Sequence, residues 1–183
     1  MPLEDNSSHE KGDSICGEGY TLAKHGLEQT FLETSDFDRL SLVACTHDKE
    51  WEATKNFRDK YFFRPNNIED PYTWTFGHKN HKHFILYQKV EIVGYAHIQC
   101  WPKSRAALRI MVIDENHRGK GRGKEFIAFI ERWLKREGYT SIHTESSPAA
   151  LGFHKQLKYK EMPFGDPGDH KSSPEDIAMG KML

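Results

Sequence analysis

Cysteine is scarce in this 183-residue chain, and Cys16, Cys45 and Cys100 stand far apart. Three scattered thiols build neither a disulfide framework nor a zinc module, so reduced thiols in a cytoplasmic protein are expected. Long apolar runs are missing too, which argues against a helical membrane span. The start, Met1 to Asn6, lacks the basic-then-apolar order of a secretory signal. Neither sign of charge is in excess: 26 Lys and Arg stand against 27 Asp and Glu, a formal net charge of -1. Such a balance has no general pull on nucleic acid or anionic lipid, and neither partner is expected. Internal repeats are absent as well.

What the chain does have is apolar patterning: 37% hydrophobic and 12% aromatic residues, enough over this length for one sizeable core and too little for two. Residues 1–26 are polar and glycine-rich without apolar periodicity, and are expected to be a flexible N-terminal extension ahead of a single domain at 27–183. A first strand is expected at Thr30 to Glu33. Trp51, Ala53, Phe57 and Tyr61 at helical spacing predict a helix over Asp48 to Phe62, with acids near its start. Arg64 to Trp74, holding Pro65, Asn66, Asn67 and Pro71, reads as loop.

Three strands follow, His83 to Gln88, Glu91 to Trp101 and Arg105 to Ile113, separated by turns. The stripe Phe126, Ile127, Ile130, Trp133 and Leu134 predicts a helix over Lys124 to Arg136, ended by Gly138. Thr140 to Glu145 is the next strand, and strand–helix–strand at this length implies a parallel pair with a right-handed crossover. A short helix over Pro148 to Leu157, a loop from Pro163 to Pro174 and a last strand at Asp176 to Leu183 complete an α+β pattern.

Arg118-Gly119-Lys120-Gly121-Arg122-Gly123 lies between that strand and that helix. A glycine-rich turn there lets backbone approach a ligand and aims unpaired N–H groups at it, and Lys124 opens a helix whose positive dipole end adds to them. The site suits a phosphate or diphosphate. Spacing separates the cofactors that use such turns. Gly123-Lys124 is followed by Glu125, so the Ser/Thr of a nucleotide P-loop is missing. No frame gives G-x-G-x-x-G, although Glu145 stands where a ribose-binding acid would. The remaining pattern is R/Q-x-x-G-x-G, met by Arg118, Gly121 and Gly123.

That pattern after Leu108 to Ile113 resembles the coenzyme A loop of the GNAT superfamily of N-acetyltransferases. Ala150-Leu151-Gly152-Phe153-His154-Lys155-Gln156-Leu157-Lys158-Tyr159 is similar to the family's A-I-x-F-Y-E-K-L-G-F segment, and Asp176 to Leu183 to its last strand. The resemblance spans roughly His83 to Leu183. It implies an α/β/α sandwich on a mixed, mostly antiparallel sheet, with a V-shaped splay between the two central strands. It also implies acetyl transfer from acetyl-CoA to a primary amine by direct attack, as a monomer or homodimer. The acceptor is a small molecule or a protein amine, and a non-catalytic acyl-CoA-binding module is the alternative.

By the same resemblance, the main chain of Met111, Val112 and Ile113 pairs with the pantetheine arm and offers an oxyanion donor. Arg118, Gly119, Lys120, Gly121, Arg122, Gly123 and Lys124 hold the diphosphate, and Ser147 takes the place of an asparagine that orders the arm. His154 stands where the family has its tyrosine acid, so either it protonates the leaving thiolate or it only lines the short helix. The strand glutamate some members use as base is matched by Ala107. Glu145 is the best carboxylate candidate, against the reading of a solvated strand end or cap.

The remaining features each carry two readings. His78, His81 and His83 suggest a metal cluster, but Lys79 and Lys82 and the lack of nearby acids favour a surface turn, and no metal is expected. His97 and His143 are either proton relays or ordinary half-buried histidines. Trp51, Tyr61, Phe62, Phe63, Tyr72, Trp74 and Phe76 suit an aromatic amine pocket or plain core packing. Glu69-Asp70 and the Asp166, Asp169 and His170 loop either attract a cationic acceptor or are solvated turns.

Overall fold

The computed structural model describes residues 21–24, 27–35, 39–167 and 173–183. Most of the expected extension lies outside the described residues, as do Cys16, Asp169 and His170. The strands are β1 (Thr21–Lys24), β2 (Leu27–Ser35), β3 (Leu40–Ala44), β4 (His81–Gln88), β5 (Glu91–Trp101), β6 (Arg105–Ile113), β7 (Ser141–Ser146), β8 (Lys160–Glu161) and β9 (Ile177–Met182). The helices are α1 (Asp48–Arg58), α2 (Arg122–Arg136) and α3 (Leu151–Gln156).

Strand order is β1-β2-β3-β4-β5-β6-β7-β9-β8, antiparallel throughout except for the parallel β6–β7 pair around the α2 crossover. β1 is the one described part of the expected extension, and it pairs with β2. The expected Thr30 to Glu33 strand lies inside β2, while β3 carries too short an apolar run to announce itself.

α1 starts where the Glu50 carboxylate accepts the His47 N–H at 2.7 Å, a side chain reaching back to the helix entry. It continues into one π-helical turn, Asp59–Phe63, so the expected helix over Asp48 to Phe62 is present as a composite. α2 begins at Arg122, two residues before the predicted start, and ends before Gly138 at φ 83°. Its stripe buries Phe126, Ile127, Phe129, Ile130, Trp133 and Leu134 against one sheet face. Phe57 of α1 packs with Val43, Ile85, Tyr87, Tyr95 and Val112 on the other. Helices on both faces of a mixed, mostly antiparallel sheet make this an α+β, α/β/α sandwich.

Two irregularities position the site. β6 and β7 stay paired only from Arg105↔Ser141 to Ala107↔His143 and then part. Thr144 Oγ1 donates to the Leu108 carbonyl at 2.9 Å and closes the vertex of the fork. Across β6, His97 faces Ile110 but Ile98 faces Leu108, so Arg109 is the extra residue of a β-bulge.

Candidate active site

The fork has two sides. On one, Met111, Val112 and Ile113 pair with Ala96, Tyr95 and Gly94 of β5 and have no strand partner on the β7 side among the described residues. The chain then turns through a short 3-10 segment, Glu115–His117, into the glycine loop. Arg118 Nε donates to the Ile113 carbonyl at 2.8 Å and fixes the loop's entry. Gly119 and Gly121 lie at φ 74° and 77°, the left-handed region that favours glycine. Glu125 N–H donates to the Gly121 carbonyl, the first rung of α2, so the Arg122, Gly123 and Lys124 amides precede any intrahelical acceptor. These amides, beside exposed Arg118, Lys120 and Lys124, form a cradle that fits a diphosphate.

Arg122 differs from the other basic residues of the loop. Its side chain is buried, donating from Nε and a terminal nitrogen to Gln88 Oε1 at 3.1 and 2.8 Å and to the His117 carbonyl at 3.3 Å. It ties α2 to β4, and only its main chain remains for a ligand. Behind the loop, the face of Gly123 looks onto the Phe153 ring, which a Cβ there would meet at 3.4 Å.

Next to Phe153, His154 is buried with Nδ1 2.8 Å from Ser146 Oγ. The Ser146 hydroxyl points its single proton at the Ser147 carbonyl, 3.2 Å away. Nδ1 of His154 is therefore the donor of that pair and Nε2 the bare nitrogen. Burial lowers its pKa, so the resting ring is neutral. Ser147 itself is exposed at the mouth of the fork. Glu145 is half-buried on β7, opposite Ala178, with Oε2 shielded and unbonded.

The other side of the fork opens into a cavity of about 510 Å³ under the π-turn and the 68–75 loop. Phe62, Phe63, Tyr72 and Trp74 wall it, and Trp74 and Ile68 stand at its rim, 59% and 53% exposed. Its floor is polar and comes from the sheet: His81, His97, Gln99, Arg109 and Ile110, with Arg58 beside them. Neither Glu145 nor His154 lines it.

Every charge on that floor is matched. Arg58, fully buried, makes a bidentate pair with Asp70 at 2.6 and 2.8 Å and donates to Tyr95 Oη at 3.2 Å. Arg109 clasps Gln99 Oε1 at 2.8 and 2.6 Å and Asp166 at 2.8 and 2.5 Å. Asp70 and Asp166 are therefore anchors of arginines, not solvated turns and not free lures for a cationic acceptor.

The surface-turn reading of His81 and His83 is overturned. Both are buried on β4 with exposed Lys82 between them, because strand alternation sends Lys82 to the opposite face. His78 alone is exposed. Among the described residues, no group of three or more His, Cys, Asp or Glu side chains could hold a metal ion.

Hydrogen bonding assigns the His83 tautomer. The Thr75 carbonyl can only accept, so Nε2–H donates to it at 3.3 Å. Nδ1 then accepts from Tyr95 Oη–H at 2.8 Å, and Tyr95 oxygen accepts from Arg58. A proton added to His83 would break this chain. Burial, with Arg58 and His81 nearby, lowers its pKa to about 4. His97 is held well below its usual 6.5, by burial first and then by His83, Arg58, His81 and Arg109. His143 is wedged between Trp101 and Phe164, at 5.8 and 5.1 Å between ring centres, and belongs to packing outside the cavity.

A pH effect on stability follows. A histidine near 6.5 when unfolded and about 4 when folded adds stability that is complete above pH 6.5 and is lost as pH falls toward 4. His83 alone should account for on the order of 3 kcal/mol over that window. Denaturant unfolding measured in steps from pH 7 to pH 4 should show the decline. His83→Gln, which does not titrate, should make it shallower, with His81 and His97 still contributing; an equally steep decline in that variant would refute the assignment.

Sequence reasoning missed Arg58 and misplaced His81. The signal for Arg58 was its place with Trp51 and Thr54 on the inward face of α1, where an unpaired charge has no business.

Comparisons with known proteins agree with this geometry. The model of the acetyltransferase (GNAT) family matches residues 44–159. No curated protein matches the sequence. GCN5 of Tetrahymena is 14% identical at a TM-score of 0.63, covering 77% of this chain and 94% of its own. An acetyltransferase of Thermus thermophilus is 20% identical at a TM-score of 0.60, covering 84% of this chain and 100% of its own. The ribosomal-protein-S18-alanine N-acetyltransferase of Escherichia coli is 15% identical at a TM-score of 0.59, covering 79% and 92%. These structures share the fold; the family match spans well over half of the sequence, from the end of β3 through the glycine loop to Tyr159. The chain belongs to the GNAT acetyltransferase family and is an N-acetyltransferase of it.

Proposed function

We propose that the chain transfers an acetyl group from acetyl-CoA to a primary amine carried on an apolar or aromatic body, in a ternary complex. The observation that carries this is the juxtaposition at the fork: an unpaired β6 edge leading into an amide cradle on one side, an aromatic cavity on the other. The cradle takes the diphosphate through the amides of Gly119 to Lys124, with Arg118, Lys120 and Lys124 adding charge. The free edge of Met111 to Ile113 aligns the arm, and its N–H groups stabilise the oxyanion. Ser147, at the mouth, orders the arm, while His154, whose one N–H is held by Ser146, lines the short helix and leaves the thiolate to take the amine's own second proton. With a thiol pKa of about 8.5 the leaving group needs only modest help.

The acceptor takes the cavity. At about 510 Å³ it suits a small molecule rather than a flat protein surface. Its arginines are already neutralised by Asp70 and Asp166, so it offers no site for a second cation. Burying one phenyl ring there is worth roughly 1.5–3 kcal/mol, or about 10- to 100-fold in kcat/KM. Glu145 lies outside this cavity and is assigned to the β7 end of the fork, on the cofactor's side of the reaction.

The test is thiol release from acetyl-CoA with 2-phenylethylamine, spermidine, glycine and a short peptide. Phenylethylamine should exceed each of the others by at least about tenfold in kcat/KM. A preference for the polyamine or the peptide would overturn the acceptor assignment, and no release with any amine would overturn the whole reading.

A further inference from the structure

We infer that the proton lost by the acceptor's ammonium group goes to His97, acting with His81 as a two-ring relay, and to no carboxylate. This rests on the acetyl-transfer reading above and names the base for that reaction. The chemistry requires such a group. An alkyl ammonium has a pKa of about 10.4, so at neutral pH only about one molecule in 10³ arrives with a free lone pair.

Position comes first. His97 and His81 both line the acceptor cavity together with Ile110. On the sheet His97 is the direct partner of Ile110, the residue that follows the Arg109 bulge and precedes the free edge at Met111. His97 therefore stands where the cavity meets the edge assigned to the thioester. The relay itself is a hydrogen bond, His81 Nδ1 to His97 Nε2, of 2.8 Å. One proton occupies that bond. Whichever ring owns it, the two outer nitrogens carry one lone pair and one N–H between them. A proton accepted at one end can be released from the other by a shift across the bond. The outer ring leads outward: exposed His78 lies 5.1 Å from His81, ring to ring.

Elimination supports the same pair. Asp70 and Asp166 are committed to Arg58 and Arg109. Both nitrogens of His83 are engaged, with Tyr95 and Thr75, and its ring stacks on His97 at 4.4 Å. His83 thus fixes the orientation of His97 and has no lone pair to offer. Cys45 is buried and its thiol is pushed up to about 12. The titratable and charged groups facing the pair are His78, His83, Tyr95, Arg58, Asp70, Arg109 and Asp166. Burial and the two guanidinium groups keep both rings unprotonated at rest, with His81 lowered to about 4. Each neutral ring keeps a lone pair, but the same surroundings oppose imidazolium on arrival as well as at rest, so the proton crosses the bond and leaves in one event rather than resting on either ring.

The step balances as follows. The ammonium N–H bond breaks and its proton goes to the bare Nδ1 of His97, whose Nε2 proton shifts across the bond to His81 Nδ1 while His81 releases the proton on its Nε2. The freed nitrogen pair forms the N–C bond to the thioester carbonyl. The C–S bond then breaks with its electrons on sulfur, and the second amine proton ends on the thiolate. One acetamide, one CoA thiol and one released proton result.

The experiment compares His97→Asn and His81→Asn with the intact chain on 2-phenylethylamine and on 2,2,2-trifluoroethylamine, an amine largely neutral at pH 7. The intact chain should show kcat/KM on phenylethylamine nearly level from pH 7 to pH 9. His97→Asn should lose about 10²- to 10³-fold at pH 7. That loss should shrink about tenfold per pH unit as the free amine becomes available. With trifluoroethylamine the loss should stay within about tenfold at every pH, and CoA affinity should not change. His81→Asn should show the same pattern with a smaller loss; if His97→Asn does not fold, the His81 variant decides the question by the same pattern. An equal loss at all pH values and with both amines, or no loss, overturns the relay while leaving the acetyl-transfer reading in place. No turnover by the intact chain overturns both.

Discussion

Gly121→Glu should abolish measurable CoA binding, lowering affinity by at least about 10³-fold, without unfolding the chain. Two effects combine. Gly121 sits at φ 77° and ψ -5° as the residue that opens α2, and a side chain in the left-handed region costs roughly 1–2 kcal/mol. The larger effect is electrostatic. A carboxylate beside the first amides of α2 competes for the same N–H groups as the diphosphate. It also repels the diphosphate by about 4 kcal/mol, the value for two unit charges 4 Å apart near a protein surface. The loop is exposed there, so the fold has little to lose.

Gly121→Ala separates the terms. It keeps the backbone strain, lacks the charge, and should weaken binding by only about 5- to 30-fold. Calorimetric titration with CoA reads both variants. Equal affinities for Ala and Glu would show that charge near this turn is irrelevant and remove the diphosphate from it.

The unequal legibility of the two halves of the site has a physical cause. The cradle is built from main-chain amides in one short stretch. What shapes such a stretch is local: glycines that accept positive φ, and an apolar stripe that starts a helix. Residues 118–124 therefore announced the turn directly, down to the strand and helix that flank it. Even there the fate of Arg122 was invisible, because its acceptor Gln88 belongs to a strand far back in the chain.

The cavity side depends on partners distant in sequence: Arg58 with Asp70 and Tyr95, Arg109 with Asp166, His81 with His97. Composition and spacing say which residue types exist, not which of them meet. The His78-to-His83 stretch shows a further ambiguity. Its lysines suggested a turn, yet the same letters read at period two place Lys82 outward and both neighbours inward. The aromatic set Trp51, Tyr61, Phe62, Phe63, Tyr72, Trp74 and Phe76 was read either as core or as pocket. The structure divides it: Trp51 and Tyr61 pack on the α1-face core, Tyr61 stacking on Phe57 at 5.9 Å, whereas Phe62, Phe63, Tyr72 and Trp74 wall the cavity.

The same buried pairing makes Arg58→Met the substitution with the largest expected effect on stability. The guanidinium is fully buried, bidentate on Asp70, bonded to Tyr95, and set over the Phe63 and Phe76 rings at 5.4 and 5.6 Å. Through these contacts one side chain joins α1, β5 and the 70–76 loop that roofs the cavity. Methionine replaces the stem but leaves the Asp70 carboxylate without its partner and Tyr95 with one donor fewer. Breaking a buried pair from one side typically costs about 3–5 kcal/mol. Unfolding in denaturant should show a loss of that size. In molecules that remain folded, KM for the acceptor should rise while CoA affinity holds, because the cradle lies on the far side of the fork. Adding Asp70→Leu should recover a large part of the lost stability by removing the orphaned charge, though not the acceptor KM, since the loop stays untethered. A single variant as stable as the original chain, or a double variant no better than the single, would show that this pair does not hold the cavity together.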